Sequence, residues 1–149
     1  MTEGHLPRDP WPPFVELFAE LRRESLESGT VVLVEGERDR SALRRLGVEG
    51  RIVLVHHGAT LAQLAHELER PTRRVIVFTD WDSKGGHLAR RIREFLGGDR
   101  VELDENLRRR FARLLRGEVV HVEGLARWAR RMAERSGGSL EHYLAEDPG

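Results

Sequence analysis

Apolar and polar residues alternate along the chain in blocks whose lengths are typical of strands and helices. Unbroken apolar runs, rich in β-branched residues, predict strands that are buried on both faces of a parallel sheet. These predicted strands cover residues 30–35, 51–56, 74–79 and 100–103. The segments between them carry apolar residues at helical spacing and predict helices over 39–46, 60–69 and 84–96. This alternation predicts an α/β fold in which helices flank an open, mainly parallel sheet.

Amphipathic helices are predicted on both sides of this core. Before it, Gly29 ends a helix whose apolar stripe comprises Phe14, Leu17, Phe18 and Leu21. After residue 104, two helices carry apolar stripes and many arginines, and Val119–Val122 between them predicts a further strand. We therefore expect an N-terminal extension and helix (1–28), a core (29–103), and an Arg-rich C-terminal helical extension packed on the core (104–149).

Three acidic residues follow two of the predicted strands. Glu35 closes the run VVLVEG, and Asp80 and Asp82 close the run VIVFTDWDSKG. Asp80 and Asp82 are two residues apart, so their side chains leave an extended backbone on the same side. A neighbouring strand, about 4.8 Å away, would bring Glu35 close to both. A sparse carboxylate set beside a helix start, whose free N–H groups attract phosphate, is typical of a Mg²⁺ site.

These motifs resemble the Toprim domain, which is shared by bacterial primases, type IA and type II topoisomerases, recombination-repair proteins and a 5S ribosomal RNA maturase. The resemblance covers residues 29–103 and implies the open, Rossmann-like Toprim sheet. The chain looks most similar to small stand-alone archaeal Toprim proteins. The segments that resemble theirs are VEGERD (Val34–Asp39), FTDWDSKG (Phe78–Gly85) and VVHVEGL (Val119–Leu125).

The resemblance implies roles for the acidic residues. Glu35 would be the general acid or base and would also lie against the metal. Asp80 and Asp82 would be ligands of Mg²⁺, for which Mn²⁺ can substitute. Asp39 matches an acidic position of the first motif, where it would support a second cation or only cap the next helix.

Three further positions match the family pattern near the expected site. Gly36 would give the tight turn beside Glu35, and Gly58, after the second strand, matches a glycine where the backbone turns near the site. Lys84 is the sole lysine of the chain and stands where some relatives carry arginine. We expect it to contact phosphate, although a solvated surface position is equally consistent with the sequence.

The arginines of the C-terminal helices are candidates for nucleic-acid contacts. Arg109 and Arg113 lie on the first of these helices, and arginine clusters can grip phosphates through paired hydrogen bonds. The alternative is a solvated helix face neutralised by glutamate. The 25 Lys and Arg residues balance 25 Asp and Glu residues, so RNA or DNA would meet a local basic face rather than a general basic coat.

Composition limits the remaining possibilities. The 149 residues suit one domain, and the absence of cysteine excludes disulfides, zinc ribbons and thiol catalysis. The sequence lacks an apolar run of the ~20 residues that span a membrane, and it opens without the pattern of a secretory signal, so we expect a cytoplasmic protein.

No histidine shows metal-ligand spacing, and His121 is expected at the surface. Trp81, between the two aspartates, is expected to pack at the sheet edge.

The leading functional hypothesis is Mg²⁺-dependent phosphodiester chemistry on nucleic acid, of the nuclease type and directed at RNA processing. Topoisomerases of the family need a nucleophilic tyrosine on a separate domain, whereas Tyr143 lies in a short polar tail. Primases add a cysteine-bearing zinc domain.

A second hypothesis is a non-catalytic module that binds nucleic acid or protein. A third is a haloacid-dehalogenase-like phosphatase with Asp80 as nucleophile, which needs a downstream acidic pair; only Asp104 and Glu105 are present, at the start of a helix.

Overall fold

The computed structural model of the protein describes residues 9–55, 60–68, 72–97 and 101–145. Within them the chain alternates between strands and helices, as the sequence pattern predicts. The strands are β1 (Thr30–Val34), β2 (Arg51–Leu54), β3 (Arg74–Val77) and β4 (Glu102–Asp104). The helices are α1 (Trp11–Ser25), α2 (Glu37–Arg45), α3 (Leu61–Glu67), α4 (Ser83–Leu96), α5 (Asn106–Leu114), α6 (Leu125–Arg135) and α7 (Leu140–Ala145).

The four strands form one parallel sheet with the order β2-β1-β3-β4. Leu33 of β1 lies opposite Val53 of β2 and Val77 of β3, so β1 runs between the two. This topology confirms the predicted α/β class. It also places the carboxyl ends of β1 and β3 side by side, which is the location where open sheets of this kind bind ligands.

Each face of the sheet buries its own set of side chains. One set of strand residues packs with α3 and α4: Val31, Leu33, Val53, Val75 and Val77. The alternate strand residues, together with Phe78 directly after β3, pack with α1, α2, α5 and α6: Val32, Val34, Ile52, Leu54 and Ile76. Alternation along a strand sends neighbouring side chains to opposite faces, and both faces are covered. The unbroken apolar runs in the sequence have this cause.

Aromatic residues join the N-terminal and C-terminal helices to the end of β3. The rings of Phe14 in α1 and Phe78 after β3 lie 5.8 and 5.3 Å from the ring of Phe111 in α5, both edge to face. The ring of Trp81 stacks on Phe111 with an interplanar angle of 19°. Trp128 of α6 contacts Phe14 at 5.0 Å. The loop that carries the aspartates is therefore anchored to α5 by packing, and Trp81 packs at the sheet edge as expected.

The structure corrects the predicted strand at Val119–Val122. Val119 and Val120 have no regular structure, and a single 3₁₀ turn covers Val122–Gly124. The carbonyls of both valines accept hydrogen bonds from Trp81, one from the ring Nε1 and one from the backbone N–H. These bonds replace the strand partner that the β-branched composition suggested.

The strands that precede the acids are shorter than predicted. The sheet pairing ends at Val34 and Val77, so Glu35, Asp80 and Asp82 lie in the loops that follow. Each loop turns at once into a helix, α2 or α4, and this ends the extended backbone. Among the helices of the described ranges, none has both the length and the apolar character that crossing a membrane requires.

Candidate metal centre

Glu35 and Asp80 meet at the shared edge of β1 and β3. The Glu35 carboxylate oxygen Oε2 accepts a hydrogen bond from the backbone N–H of Asp80 at 2.9 Å. The two residues are 45 positions apart in sequence and come together because their strands are neighbours. This contact fixes the Glu35 side chain over the loop that carries the aspartates.

The loop from Asp80 to Gly85 is folded tightly onto itself. Asp82 is the N-cap of α4, and its Oδ1 accepts the backbone N–H of Gly85 at 2.7 Å. The buried Thr79 hydroxyl donates to the Gly85 carbonyl at 2.9 Å. A Cβ on Gly85 would lie 1.9 Å from the Asp80 carbonyl oxygen, so only glycine fits at this position. This lack of space explains why a glycine follows Lys84 in the sequence motif.

Residues 119–124, here called the crossing segment, run across the acidic loop and bond to it repeatedly. The backbone N–H of Val122 donates to Asp80 Oδ1 at 2.7 Å. His121 Nε2 lies 3.0 Å from Asp82 Oδ2. The backbone of Glu123 lies near the carboxylate of Asp39 in α2 and lowers its pKa slightly. The crossing segment therefore orients the carboxylates of Asp80 and Asp82.

Asp80, Asp82 and His121 present a set of metal-ligand atoms. One donor atom from each lies within 4.8 Å of the other two. The described part of the chain contains no other group of three such residues this close together. Two carboxylates and an imidazole suit a divalent cation; carboxylates are the preferred protein ligands of Mg²⁺ and Mn²⁺, while imidazole also suits heavier transition metals. The residues present therefore fit a divalent metal, and Toprim-type metal binding is consistent with this donor set.

The carboxylates of the site repel one another. Burial raises the pKa of Asp80 to about 6. The hydrogen bond from the Val122 N–H lowers this pKa, whereas the nearby charges of Glu35 and Asp39 raise it further. The pKa of Asp39 is also raised, first by burial and then by Glu35 and Glu123. A cation bound among these groups would relieve this repulsion.

Asp82 differs from Asp80 in its surroundings. The Gly85 N–H, followed by the hydrogen bond with His121, lowers the pKa of Asp82 below its usual value. Asp82 is therefore ionised throughout the neutral range, whereas Asp80 still binds a proton in mildly acidic solution. The pair thus combines one carboxylate that stays ionised with one from which a metal ion has to displace a proton below about pH 6.

Asp39 and Gly36 form the start of α2. Asp39 is buried, with 7% of its surface exposed, and its Oδ2 accepts the backbone N–H of Gly36 at 3.0 Å. This bond gives Asp39 the helix-capping role that the sequence left open beside a second-metal role. Gly36 has a negative φ of −155°, and a Cβ built on it meets nothing within 4 Å. The turn beside Glu35 therefore does not require glycine for steric reasons.

Arg108 is a member of the site that the sequence did not single out. Its Nε donates to the Thr79 carbonyl at 3.0 Å, and its Nη2 donates to the Asp80 carbonyl at 2.7 Å. It is half-buried, and burial lowers its pKa while the charges of Glu105, Glu35 and the two aspartates oppose that change. Arg108 therefore ties α5 to the acidic loop and offsets part of its negative charge.

The remaining predicted binding residues lie at the surface or outside the described ranges. Lys84 is exposed in the first turn of α4, next to Asp82. Arg109 and Arg113 are exposed on α5, and neither forms an ion pair with another described residue. Gly58 falls in 56–59, outside the described residues. The structure thus gathers Glu35, Asp39, Asp80 and Asp82, with Lys84 at the edge of the group.

His121 and Arg108 were missed because their roles depend on tertiary contacts. His121 has no histidine or cysteine partner at ligand spacing, and Arg108 stands in a run of three arginines. One signal was present, namely the segment VVHVEGL, whose resemblance to archaeal relatives lies outside the two acidic motifs. That segment contains His121 and Val122, the two residues that bond to Asp82 and Asp80.

Comparisons with known proteins agree with the geometry. The family model described as the Toprim domain matches residues 30–114. A UPF0292 protein of Methanosarcina acetivorans is 30% identical over 95% of this chain and 96% of its own length. A UPF0292 protein of Archaeoglobus fulgidus is 34% identical over 76% of this chain and 87% of its own. A solved structure, a putative protein from Aquifex aeolicus, superposes with a TM-score of 0.64 and 26% identity over 78% of this chain and 98% of that chain. The expected likeness to small archaeal proteins is confirmed, and the chain belongs to the Toprim domain family.

Proposed function

We propose that this protein carries out Mg²⁺-dependent phosphodiester chemistry on nucleic acid, as a nuclease that acts in RNA processing. The observation that supports this most strongly is the meeting of Glu35 with the Asp80 loop across neighbouring strands. It puts a carboxylate that can move a proton beside a set of metal-ligand atoms. Membership of the Toprim family, whose members are typically metal-binding and act on nucleic acid, agrees with the proposal.

Asp80, Asp82 and His121 would hold the metal in this proposal. When bound there, Mg²⁺ or Mn²⁺ supplies Lewis-acid polarisation of a phosphate oxygen and stabilises the negative charge that develops on it. The crossing segment would supply one ligand, His121, and it supports the other two, since Val122 and His121 each bond to one aspartate. Fixed ligands bind a cation with less reorganisation than mobile ones.

Glu35 would move the proton. Its Oε2 is held by the Asp80 N–H, whereas its Oε1 forms no hydrogen bond with any described residue, and the side chain is only partly buried. The free oxygen can therefore accept a proton from a water molecule that attacks phosphorus, or return one to the leaving oxygen. The first turn of α4, which carries Lys84, directly follows Asp82 and offers a positive helix end to the phosphate.

The test is cleavage of end-labelled structured RNA, single-stranded RNA and single-stranded DNA in Mg²⁺ or Mn²⁺. Glu35→Gln and Asp80→Asn are the test variants, and Glu134→Gln, an exposed residue of α6, is the matched control. The proposal expects cleavage by the native chain and by the control, and a loss of at least about a hundredfold in both site variants. Equal cleavage by all four proteins would contradict it, because the activity would then belong to a contaminant.

Two alternatives give different results in the same assay. A non-catalytic binding module would retain nucleic acid and yield no product with any metal. A phosphatase with Asp80 as nucleophile would turn over small phosphate esters without Glu35. The structure offers little support for the phosphatase, since Asp104 is ion-paired with Arg74 and Glu105 is ion-paired with Arg93 rather than facing Asp80.

A further inference from the structure

A cavity lined by three arginines opens between α2 and α6, beside the acidic residues. Its volume is about 390 Å³. The residues that line it are Arg38, Ser41, Arg45, Glu123, Gly124 and Arg127. Arg38, Ser41 and Arg45 are spaced so that they share one face of α2, and Arg127 lies opposite them in the first turns of α6. The cavity therefore combines three guanidinium groups and one hydroxyl with a single carboxylate.

The arginines of the cavity differ from neighbouring arginines of α2 and α6 in having no ion-pair partner in the part of the chain that the structure describes. Arg40 is ion-paired with Glu37, and Arg44 donates to the carbonyls of Val48 and Gly50. Among the described residues, neither Arg38 nor Arg45 forms an ion pair or a side-chain hydrogen bond. The same holds for Arg127 within those ranges, whereas Arg130 of the same helix pairs with Glu141. In a chain with no net charge, this leaves a local excess of positive charge.

The residues that line the cavity are direct sequence neighbours of residues at the candidate metal centre. Arg38 directly precedes Asp39, and the backbone of Glu123 lies near the Asp39 carboxylate. The next residue back, Val122, bonds to Asp80. In the crossing segment, the two residues that bond to the aspartates, His121 and Val122, are thus followed directly by Glu123 and Gly124 of the cavity. A polymer with a phosphate at the metal centre would bring another phosphate of the same strand to the arginines.

We propose that the Arg38–Arg45–Arg127 cavity binds a backbone phosphate of a nucleic-acid strand, next to the phosphate that reacts. The assignment of nucleic acid as the occupant rests on the proposed function. Guanidinium groups suit it because each can donate two parallel hydrogen bonds to phosphate oxygens. The cavity is at the lower end of the usual range for ligand pockets and accommodates a nucleotide unit.

Glu123 allows a test in which the expected change in binding affinity is opposite to that of the arginine variants. Its carboxylate is the one anionic group among the lining side chains, whereas only its backbone lowers the pKa of Asp39. Glu123→Gln should leave the backbone unchanged and remove the repulsion of phosphate. Binding of a strand should therefore become tighter in this variant and weaker in the arginine variants.

The experiment measures the affinity of the full chain for fluorescent single-stranded RNA and for single-stranded DNA of the same sequence, by anisotropy. EDTA is present throughout, so that neither metal binding nor cleavage enters the result. The test variants are Arg38→Ala, Arg45→Ala, Arg127→Ala and Glu123→Gln. Arg131→Ala is the matched control, since Arg131 is exposed on α6 but does not line the cavity. Circular dichroism melting of each variant checks that the fold is kept.

Each cavity arginine variant should bind about tenfold more weakly, the loss expected for a hydrogen bond to a charged group. Between roughly 50 and 200 mM salt, the slope of log K against log salt should fall by about 0.7 for each phosphate that the variant no longer neutralises. Glu123→Gln should tighten binding and Arg131→Ala should leave it unchanged. Comparing RNA with DNA shows which polymer supplies the phosphate. Weaker binding of either polymer by the cavity arginine variants supports the proposal.

Two results would overturn it. Equal weakening by the cavity variants and by Arg131→Ala would mean diffuse surface charge, and absence of binding to both polymers in EDTA would mean no phosphate site. Failure of the proposed function is distinguishable, because it would leave cavity-dependent binding in EDTA but no cleavage when Mg²⁺ is added.

Discussion

The backbone N–H of Val122 donates a hydrogen bond of 2.7 Å to Oδ1 of Asp80, across 42 positions of sequence. Asp80 follows a strand of the sheet, whereas Val122 belongs to the crossing segment between two C-terminal helices. The contact means that the acidic loop is not complete without residues outside the two acidic motifs. The C-terminal helices therefore help to build the site, in addition to packing on the sheet.

The position of His121 predicts a role in metal binding. His121→Ala removes the imidazole that lies 3.0 Å from Asp82 and leaves the two carboxylates in place. We expect the affinity for Mn²⁺, measured by calorimetry, to fall by about tenfold or more. His87→Ala is the control, because His87 is exposed on α4 near Asp82 but lies outside the ligand group. Equal affinities of the two variants would exclude His121 as a ligand.

The pKa of Asp80 predicts how metal affinity varies with pH. Burial and the neighbouring acids raise this pKa from 3.8 to about 6, so below that value a proton competes with the metal. The Asp80 carboxylate should therefore contribute a rise of about tenfold in Mn²⁺ affinity per pH unit up to about pH 6 and no further rise above it. Asp82 should not change the slope of the curve of affinity against pH in this range, because its pKa is lowered.

Glu35→Gln provides the check on that pH dependence. Removing the charge of Glu35 takes away one cause of the raised pKa of Asp80, so the break should move to lower pH. Calorimetry between pH 5 and 8 measures both curves. A break at the same pH in both proteins would show that Glu35 does not act on Asp80.

Gly85 and Gly36 should respond differently to the same added methyl group. Gly85→Ala puts a Cβ 1.9 Å from the Asp80 carbonyl oxygen, and we expect the free energy of unfolding to fall by about 2 kcal/mol or more. Gly36→Ala meets nothing within 4 Å and should change it by less than about 0.5 kcal/mol. Urea denaturation compares the two. A neutral Gly85→Ala would mean that the loop is not packed as described.

Arg108 and Arg109 form a second pair of neighbours with different expected effects. Arg108→Ala removes two hydrogen bonds to the carbonyls of Thr79 and Asp80 and should cost about 2 kcal/mol of unfolding free energy. Arg109→Ala alters an exposed side chain and should change stability by less than about 0.5 kcal/mol. Thermal or urea unfolding of both variants is the measurement. Equal effects would remove Arg108 from the support of the acidic loop.

Much of the fold follows from local sequence patterns. The runs that contain Val31–Val34 and Val75–Phe78 are apolar without interruption, and this predicts strands covered on both faces. Acids directly after two such runs must lie at one edge when the strands are parallel neighbours. The structure has this arrangement, with β1 beside β3 and Glu35 bonded to Asp80.

The parts that the sequence could not supply depend on long-range contacts. Val119 and Val120 have the composition of a strand, yet their carbonyls bond to Trp81 rather than to another strand. His121 and Arg108 resemble ordinary surface residues until the folded chain places them against Asp82 and Asp80. Propensity and periodicity describe neighbours in sequence, whereas these roles arise from residues that are 28 or more positions apart.

The most direct test of the account is Mn²⁺ binding by the native chain and by the Asp80→Asn/Asp82→Asn double variant, with Glu134→Gln as control. Calorimetry should find a single Mn²⁺ bound by the native chain and the control. The double variant should bind none, while its circular dichroism spectrum remains that of a folded protein. Unchanged affinity and stoichiometry in the folded double variant would contradict the central claim that these aspartates form a metal centre.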